Sequence, residues 1–365
     1  MDDINSLRAA ISAVANWDAL LEAAEFHGLL PLLSAAIEGA GPDVSPPLDV
    51  AQRLRAAYRD SAKRAMFFSG RLAALLDVLQ GQGVPALPLK GPVLAESLYQ
   101  DPALRPVSDL DLLIHRRDVP AVLRLLVREG YVRGEHMAWL PVETLVTLNS
   151  EVTLRHPLGV HVDLQWAIAQ GDYPFCFDPE ILWRSLRPVR LAGREVPNLT
   201  LESLLLFLCV HGAKHLWSRL MWLGDVARLT RRDPDWVLAL QLATDAECVR
   251  PWLLALLLAS DLLEAAVPPW VLERARAEPA VEAAAREVKA RLDHMPPVEP
   301  GSLALTAFNG KLASRRWDKV RHYAALLHAP TEAELELLRL PRKLFVLYYP
   351  VRAARLTAKY VLRLK

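Results

Sequence analysis

The chain has 365 residues, 52% of them hydrophobic and 23% charged, with a formal net charge of +1. That length suits two or three domains with sizeable cores, and the composition excludes a disordered chain. Near-neutral charge gives no global case for nucleic-acid binding, so no DNA partner is expected. The three cysteines, Cys176, Cys209 and Cys248, lack C-x-x-C spacing. They indicate neither a zinc site nor a disulfide framework, and a reducing cytoplasm is expected. The start, Met1-Asp2-Asp3-Ile4-Asn5, is acidic and is not a signal peptide. The apolar runs at 204–210 and 252–267 fall short of the roughly 20 residues that span a bilayer.

Residues 1–83 read as an N-terminal helical region. Apolar side chains recur near the 3.6 period, as at Leu72, Leu75, Leu76 and Leu79. A Gly/Pro loop falls at 41–47, and Gly81-Gln82-Gly83 ends the block. The pattern changes over 84–199. A β-prone run at 84–89 leads into Lys90-Gly91-Pro92, with the proline at the first position of a helix over 93–99. A loop at 101–106 precedes a strand at 107–115. Asp118 reads as the cap of a helix over 119–129, closed by Gly130. Two short runs, 151–156 and 160–166, flank Pro157-Leu158-Gly159 and read as a hairpin. From Thr200 to residue 365 the chain reads helical again, and Glu202 suits the positive end of the first helix. The expected class is α+β, a small mixed-sheet core flanked by N-terminal and C-terminal helical domains.

The chemistry concentrates at Arg105-Pro106-Val107-Ser108-Asp109-Leu110-Asp111. On a strand, Asp109 and Asp111 project to one face while Leu110, Leu112 and Ile114 point to the other. Two carboxylates about 5 Å apart repel by roughly 3 kcal/mol at an effective dielectric of 20. A divalent cation with a taste for hard oxygen offsets that, which suits magnesium. The pair alone is weak, because strand edges often carry acids for solubility. A third acid strengthens it: Asp163 shares one face of the hairpin's second strand with His161 and Gln165, with Val160, Val162, Leu164 and Trp166 behind.

Together with Leu89-Lys90-Gly91, Leu98-Tyr99, Glu129-Gly130-Tyr131, Val162-Asp163-Leu164-Gln165-Trp166, His211-Gly212-Ala213-Lys214-His215 and Trp222-Leu223-Gly224-Asp225, these residues resemble the uncharacterised nucleotidyltransferase family of the polymerase-β-like superfamily over roughly 80–230. The resemblance implies that Asp109, Asp111 and Asp163 hold two magnesium ions, with manganese as a substitute, and catalyse transfer of a nucleoside monophosphate. It implies a nucleoside triphosphate donor, ATP foremost, and an acceptor the sequence does not identify. Lys90 and Gly91 would meet the triphosphate, and the following helix N-terminus would favour anions. The superfamily's common Gly-Ser turn is here Gly91-Pro92, and proline offers neither hydroxyl nor N–H. Phosphate gripping then falls to Lys90, Arg105 or Ser108, and to Lys214 from the helical region beyond. Relatives often carry histidine where Gln165 stands; glutamine can only hydrogen-bond, so a role in shaping substrate is expected.

His211 and His215 are four apart on a predicted helix and share a face. Gly212 stands where a zinc-protease helix needs glutamate. The pair therefore reads as an interface or a substrate contact, and Asp225 as the partner of an arginine. The tail, 339–365, holds eight Lys or Arg and no acid. It reads either as a packed terminal helix, paired with the acidic stretch 331–336, or as a peripheral contact with an anionic membrane. A nucleotidyltransferase-like antitoxin or pseudo-enzyme that binds a partner is the alternative to an enzyme.

Overall fold

The structure, a computed structural model, describes residues 2–41, 45–134, 139–169, 173–175, 177–292, 303–328, 334, 337–340 and 342–360. Cys176, most of the acidic stretch 331–336 and the last five residues of the basic tail lie outside them.

Four helices come first: α1 (Asp2–Ser12), α2 (Trp17–Phe26), α3 (Leu30–Gly39) and the 34-residue α4 (Leu48–Gly81). Asn16 caps α2 by accepting from the Ala19 N–H. The core then alternates β1 (Ala86–Pro88), α5 (Pro92–Leu98), β2 (Leu110–Ile114), α6 (Val119–Arg128), β3 (Val132–Arg133), α7 (Val142–Leu148), β4 (Glu151–Arg155) and β5 (His161–Gln165). A short helix α8 (Glu180–Trp183) and a two-stranded ribbon, β6 (Val189–Leu191) with β7 (Arg194–Val196), lead to the C-terminal helices. The first two of these, α9 (Leu201–Lys214) and α10 (Leu220–Thr230), border the site; Thr200 caps α9 through the Ser203 N–H.

The main sheet has the order β1-β2-β5-β4-β3. Only β2 and β5 run parallel; the other neighbours are antiparallel. The strand expected over 107–115 is shorter, because β1 pairs only with Leu112, Leu113 and Ile114 and leaves the stretch before Leu110 outside the ladder. Asp118 precedes α6 as expected, but it makes no side-chain cap bond; a 3-10 turn at Arg116–Asp118 leads in instead.

Alternation decides what each sheet face meets. Leu110, Leu112, Ile114, Val152, Leu154, Val162 and Leu164 pack against Leu72, Leu76 and Leu79 of α4 and Val122, Leu123 and Leu126 of α6. Leu113, on the face that carries the acids, joins a second core with Leu87, Leu94 and the apolar side of α9. Hydrophobic packing thus crosses both expected boundaries, at 83 and at 199. The tail crosses back as well: Tyr348 is buried in the first core, and buried Glu334 takes Arg352 at 3.1 Å and also binds Arg355. Those two arginines of the basic tail share one buried carboxylate. No described helix is long and apolar enough to cross a membrane.

Candidate active site

The β2–β5 register sets Asp111 directly beside Asp163, and the β4–β5 register sets Thr153 on the other side of Asp163. The row Asp111, Asp163, Thr153 therefore runs straight across three strands. Thr153 Oγ1 donates to Asp163 Oδ1 at 2.6 Å. Asp109, one residue before β2, completes a cluster in which one oxygen from each carboxylate lies within 4.8 Å of the others. Among the described residues this is the only group of three or more potential metal ligands.

Asp111 is 2% exposed. Burial pushes its carboxyl up to about 7, and Asp109 and Asp163 add to that, while Lys90 opposes it. Asp163 is raised as well, chiefly by burial, against the Thr153 hydrogen bond. Gln165 Nε2 donates to Asp111 Oδ1 at 3.0 Å. The other oxygen, Oδ2, is buried without a well-formed hydrogen bond and is met only by the Lys90 ammonium at 2.8 Å. Lys90 also stands 3.6 Å from Asp109 Oδ2. Burial would lower its pKa, but Asp111 and Asp109 outweigh that and hold it above its ordinary value. Three carboxylates that each bring one oxygen within 4.8 Å of the others are a donor set that suits a hard divalent ion.

Gly91 sits at φ 67°, where a side chain is strained, and a Cβ there would come 3.1 Å from the Asp109 carbonyl oxygen. The glycine therefore lets the Lys90 turn close on the acid strand. Helix α5 behind it has only seven residues, so its dipole adds little.

Lys90, Gly91, Arg105, Ser108, Lys214, His211 and Gln165 all line one cleft of about 440 Å³ with the three aspartates. The Ser108 hydroxyl donates to Asp109 Oδ1 at 3.1 Å. Arg105, expected as a phosphate grip, is already committed. Its Nε and one terminal nitrogen bind buried Asp225 at 3.0–3.1 Å, and Tyr99 Oη donates to the same carboxylate at 2.7 Å. His161 is exposed at the start of β5 and lies outside the cleft wall. Lys214 reaches in from α9 with its ammonium 2.8 Å from the Ile168 carbonyl and over the Tyr173 ring.

Sequence reasoning gave no site role to Arg219, Trp222, Met221 or Glu151, which also line the cleft. Arg219 lies over the Phe26 ring and meets no carboxylate among the described residues. His211, His215 and Trp222 form an aromatic cluster with centroids 4.8–5.4 Å apart, and Phe207 stacks on His211 at 5.9 Å. Burial lowers both imidazoles; His215 and then nearby cations lower His211 further, and Lys214 and Lys90 lower His215, which keeps an edge open to the cleft. With no third ligand beside them among the described residues, the histidines read as an aromatic wall. The hairpin register alone would have identified Thr153; nothing local in the sequence marks Arg219.

The profile of the uncharacterised nucleotidyltransferase family matches residues 13–264. The chain belongs to this family. The nucleotidyltransferase match covers every wall residue named above, from Lys90 to Trp222. Among solved structures the chain is similar to the crystal structure of an antigenic nucleotidyltransferase-like protein from Paracoccidioides brasiliensis. The identity is 16%, over 55% of this chain and 97% of that one, with a TM-score of 0.31, and so loose a likeness carries no argument about the site. None of the curated proteins matches the chain.

Proposed function

We propose that this nucleotidyltransferase-family protein moves a nucleoside monophosphate from a nucleoside triphosphate, ATP foremost, to a hydroxyl of a small-molecule, peptide or protein acceptor. The acceptor oxygen forms a bond to the α-phosphorus, the bond to the β-phosphate oxygen breaks, and pyrophosphate leaves with that electron pair. The single observation that carries this reading is the Asp111–Asp163 register pair with Asp109 beside it. Asp109, Asp111 and Asp163 would hold magnesium. When bound, the ions would supply positive charge to the α-phosphate and to the attacking and leaving oxygens.

The chain's own residues do the rest by positioning and charge. Asp163, held by Thr153, takes the proton of the acceptor hydroxyl. Gln165 fixes the Asp111 carboxylate, so it orients a ligand rather than carrying a proton. Lys214 and Arg219, both without a carboxylate partner among the described residues, face the triphosphate and replace the serine that Gly91-Pro92 lacks. Ser108 orients Asp109. The neutral imidazoles and Trp222 offer the base a flat, apolar surface.

The test is incubation of the purified chain with each labelled triphosphate, magnesium and cell extract, with mass spectrometry of whatever becomes labelled. Wild type should label an acceptor, and Asp111→Asn should label none and bind Mn2+ more weakly while melting as a folded protein. An active Asp111→Asn variant overturns the assignment. Partner binding that persists in Asp109→Ala, with no magnesium-dependent stabilisation by any triphosphate, would favour the regulatory alternative.

A further inference from the structure

A second cavity, about 300 Å³, adjoins the cleft and shares four of its walls: Pro106, Ser108, Arg219 and Met221. Its other walls come from the N-terminal helices. Ala57, Asp60, Ser61 and Arg64 recur at helical spacing and present one face of α4, while Glu25, Gly28, Leu30 and Pro31 come from α2, α3 and the turn between them. The chamber is held open by specific contacts. The Met221 N–H donates to the His27 carbonyl, and Gly28, at φ 73°, leaves room for the Met221 sulfur, which a Cβ would approach to 3.1 Å. Ser61 is tied to the Ala103 carbonyl and Arg64 Nε to the Val107 carbonyl.

Three of the chamber's charged side chains, Glu25, Asp60 and Arg64, are exposed, and Arg219 is half-buried. The Arg64 and Arg219 guanidiniums lie over Phe68 and Phe26, and neither meets a carboxylate among the described residues. Asp60 pairs only with exposed Lys63, and no described cation pairs with Glu25. Between these charges the lining is apolar: Leu30, Pro31, Ala57, Val107 and Met221. In-line displacement needs the attacking oxygen on the side of the α-phosphorus opposite the leaving pyrophosphate. Ser108, which donates to Asp109 Oδ1, is a wall of both cavities and so sets this chamber next to the acid cluster.

We infer that the chamber is the acceptor site and that the acceptor is a small zwitterion bearing a hydroxyl, of the size of one or two amino acids. This rests on the reading of the main cleft given above. The planar guanidinium of Arg64 takes its carboxylate, Glu25 and Asp60 take its ammonium, and its hydroxyl passes Ser108 to reach the acid cluster, where Asp163 takes its proton.

The experiment is calorimetric titration of the full chain, loaded with magnesium and a triphosphate analogue that resists transfer. The ligands are serine, threonine, tyrosine and their dipeptides with glycine, each also as the N-acetyl and the C-amide form. At least one free zwitterion should bind, and either cap should weaken it tenfold or more. Arg64→Gln and Asp60→Asn should weaken it similarly. Ala57→Phe fills the chamber without removing a charge, and should abolish acceptor binding. All three should bind the nucleotide analogue within twofold of wild type. Binding of none of the panel, equal binding of capped and free forms, or unchanged binding in Ala57→Phe overturns the inference, as does labelling of an intact protein from extract in place of a small zwitterion. The nucleotide analogue still binding in those cases shows that only the acceptor assignment has failed.

Discussion

The Lys90 ammonium stands 2.8 Å from Asp111 Oδ2, while Gln165 holds the other oxygen of that carboxylate. It gives the buried acid a counter-charge supplied by the chain itself, in the place where a divalent ion would also be attracted.

Lys90→Met should therefore destabilise the protein in chelator and much less in Mn2+. Breaking a buried ion pair from one side costs about 3–5 kcal/mol in general, and protonation of Asp111 recovers part of it. A loss of roughly 2 kcal/mol in denaturant midpoints with chelator at pH 8 is expected. An equal loss with and without Mn2+ would show that Lys90 is not balancing the metal site.

Metal affinity should depend on pH with a definite sign. Asp111 is pushed up to about 7, so below that pH it keeps a proton that metal binding must release. Apparent Mn2+ affinity should rise roughly five- to tenfold per unit up to pH 7 and level off above 8. Calorimetry from pH 5.5 to 8.5 checks it, and a flat profile would contradict the burial of Asp111.

The Arg105–Asp225 pair predicts a stability effect. Asp225 is fully buried and receives Arg105 through two nitrogens and Tyr99 through its hydroxyl. Asp225→Ala should cost about 3–5 kcal/mol by leaving the guanidinium buried and unpaired. The double variant Arg105→Met/Asp225→Leu should recover a good part of that in urea titrations. No recovery would mean that Tyr99 and packing, rather than charge, hold the tie.

Gly212→Ala should disturb the cleft from behind. A Cβ there would fall 2.4 Å from the Trp217 ring. Trp217 is fully buried, and it follows Leu216 in a turn where both have positive φ (55° and 50°). That turn joins Lys214 and His215 to Arg219 and Trp222. A loss of about 2–3 kcal/mol, typical of overpacking, should accompany weaker triphosphate binding. Stability lost with nucleotide binding intact would separate the turn from the site.

The acid cluster was legible in the sequence because it depends on short-range rules. Strand alternation sent Asp109 and Asp111 to one face, and the Pro/Gly turn at 157–159 set the hairpin that carries Asp163. The helical flanks were legible from their apolar period. The parts that were not legible depend on contacts far apart in the chain. Arg105 looked free because its partner lies 120 residues away. Arg219 reaches the cleft through the turn after α9, whose unusual backbone no motif announces. His161 follows the strand pattern correctly, yet the cleft ends before it.

Helix α4 is one unbroken rod of 34 residues, about 50 Å long. Its middle turns form the wall of the second chamber and its last turns are cemented into the sheet core. A rod has no joint between those two duties. For an acceptor bound as inferred above, the gap between chamber and carboxylates is thus a fixed gauge, and a molecule too long or too short for it would present its hydroxyl at the wrong depth. Changes on α2 and α3, which form the opposite wall, can reshape the chamber while leaving that gauge untouched.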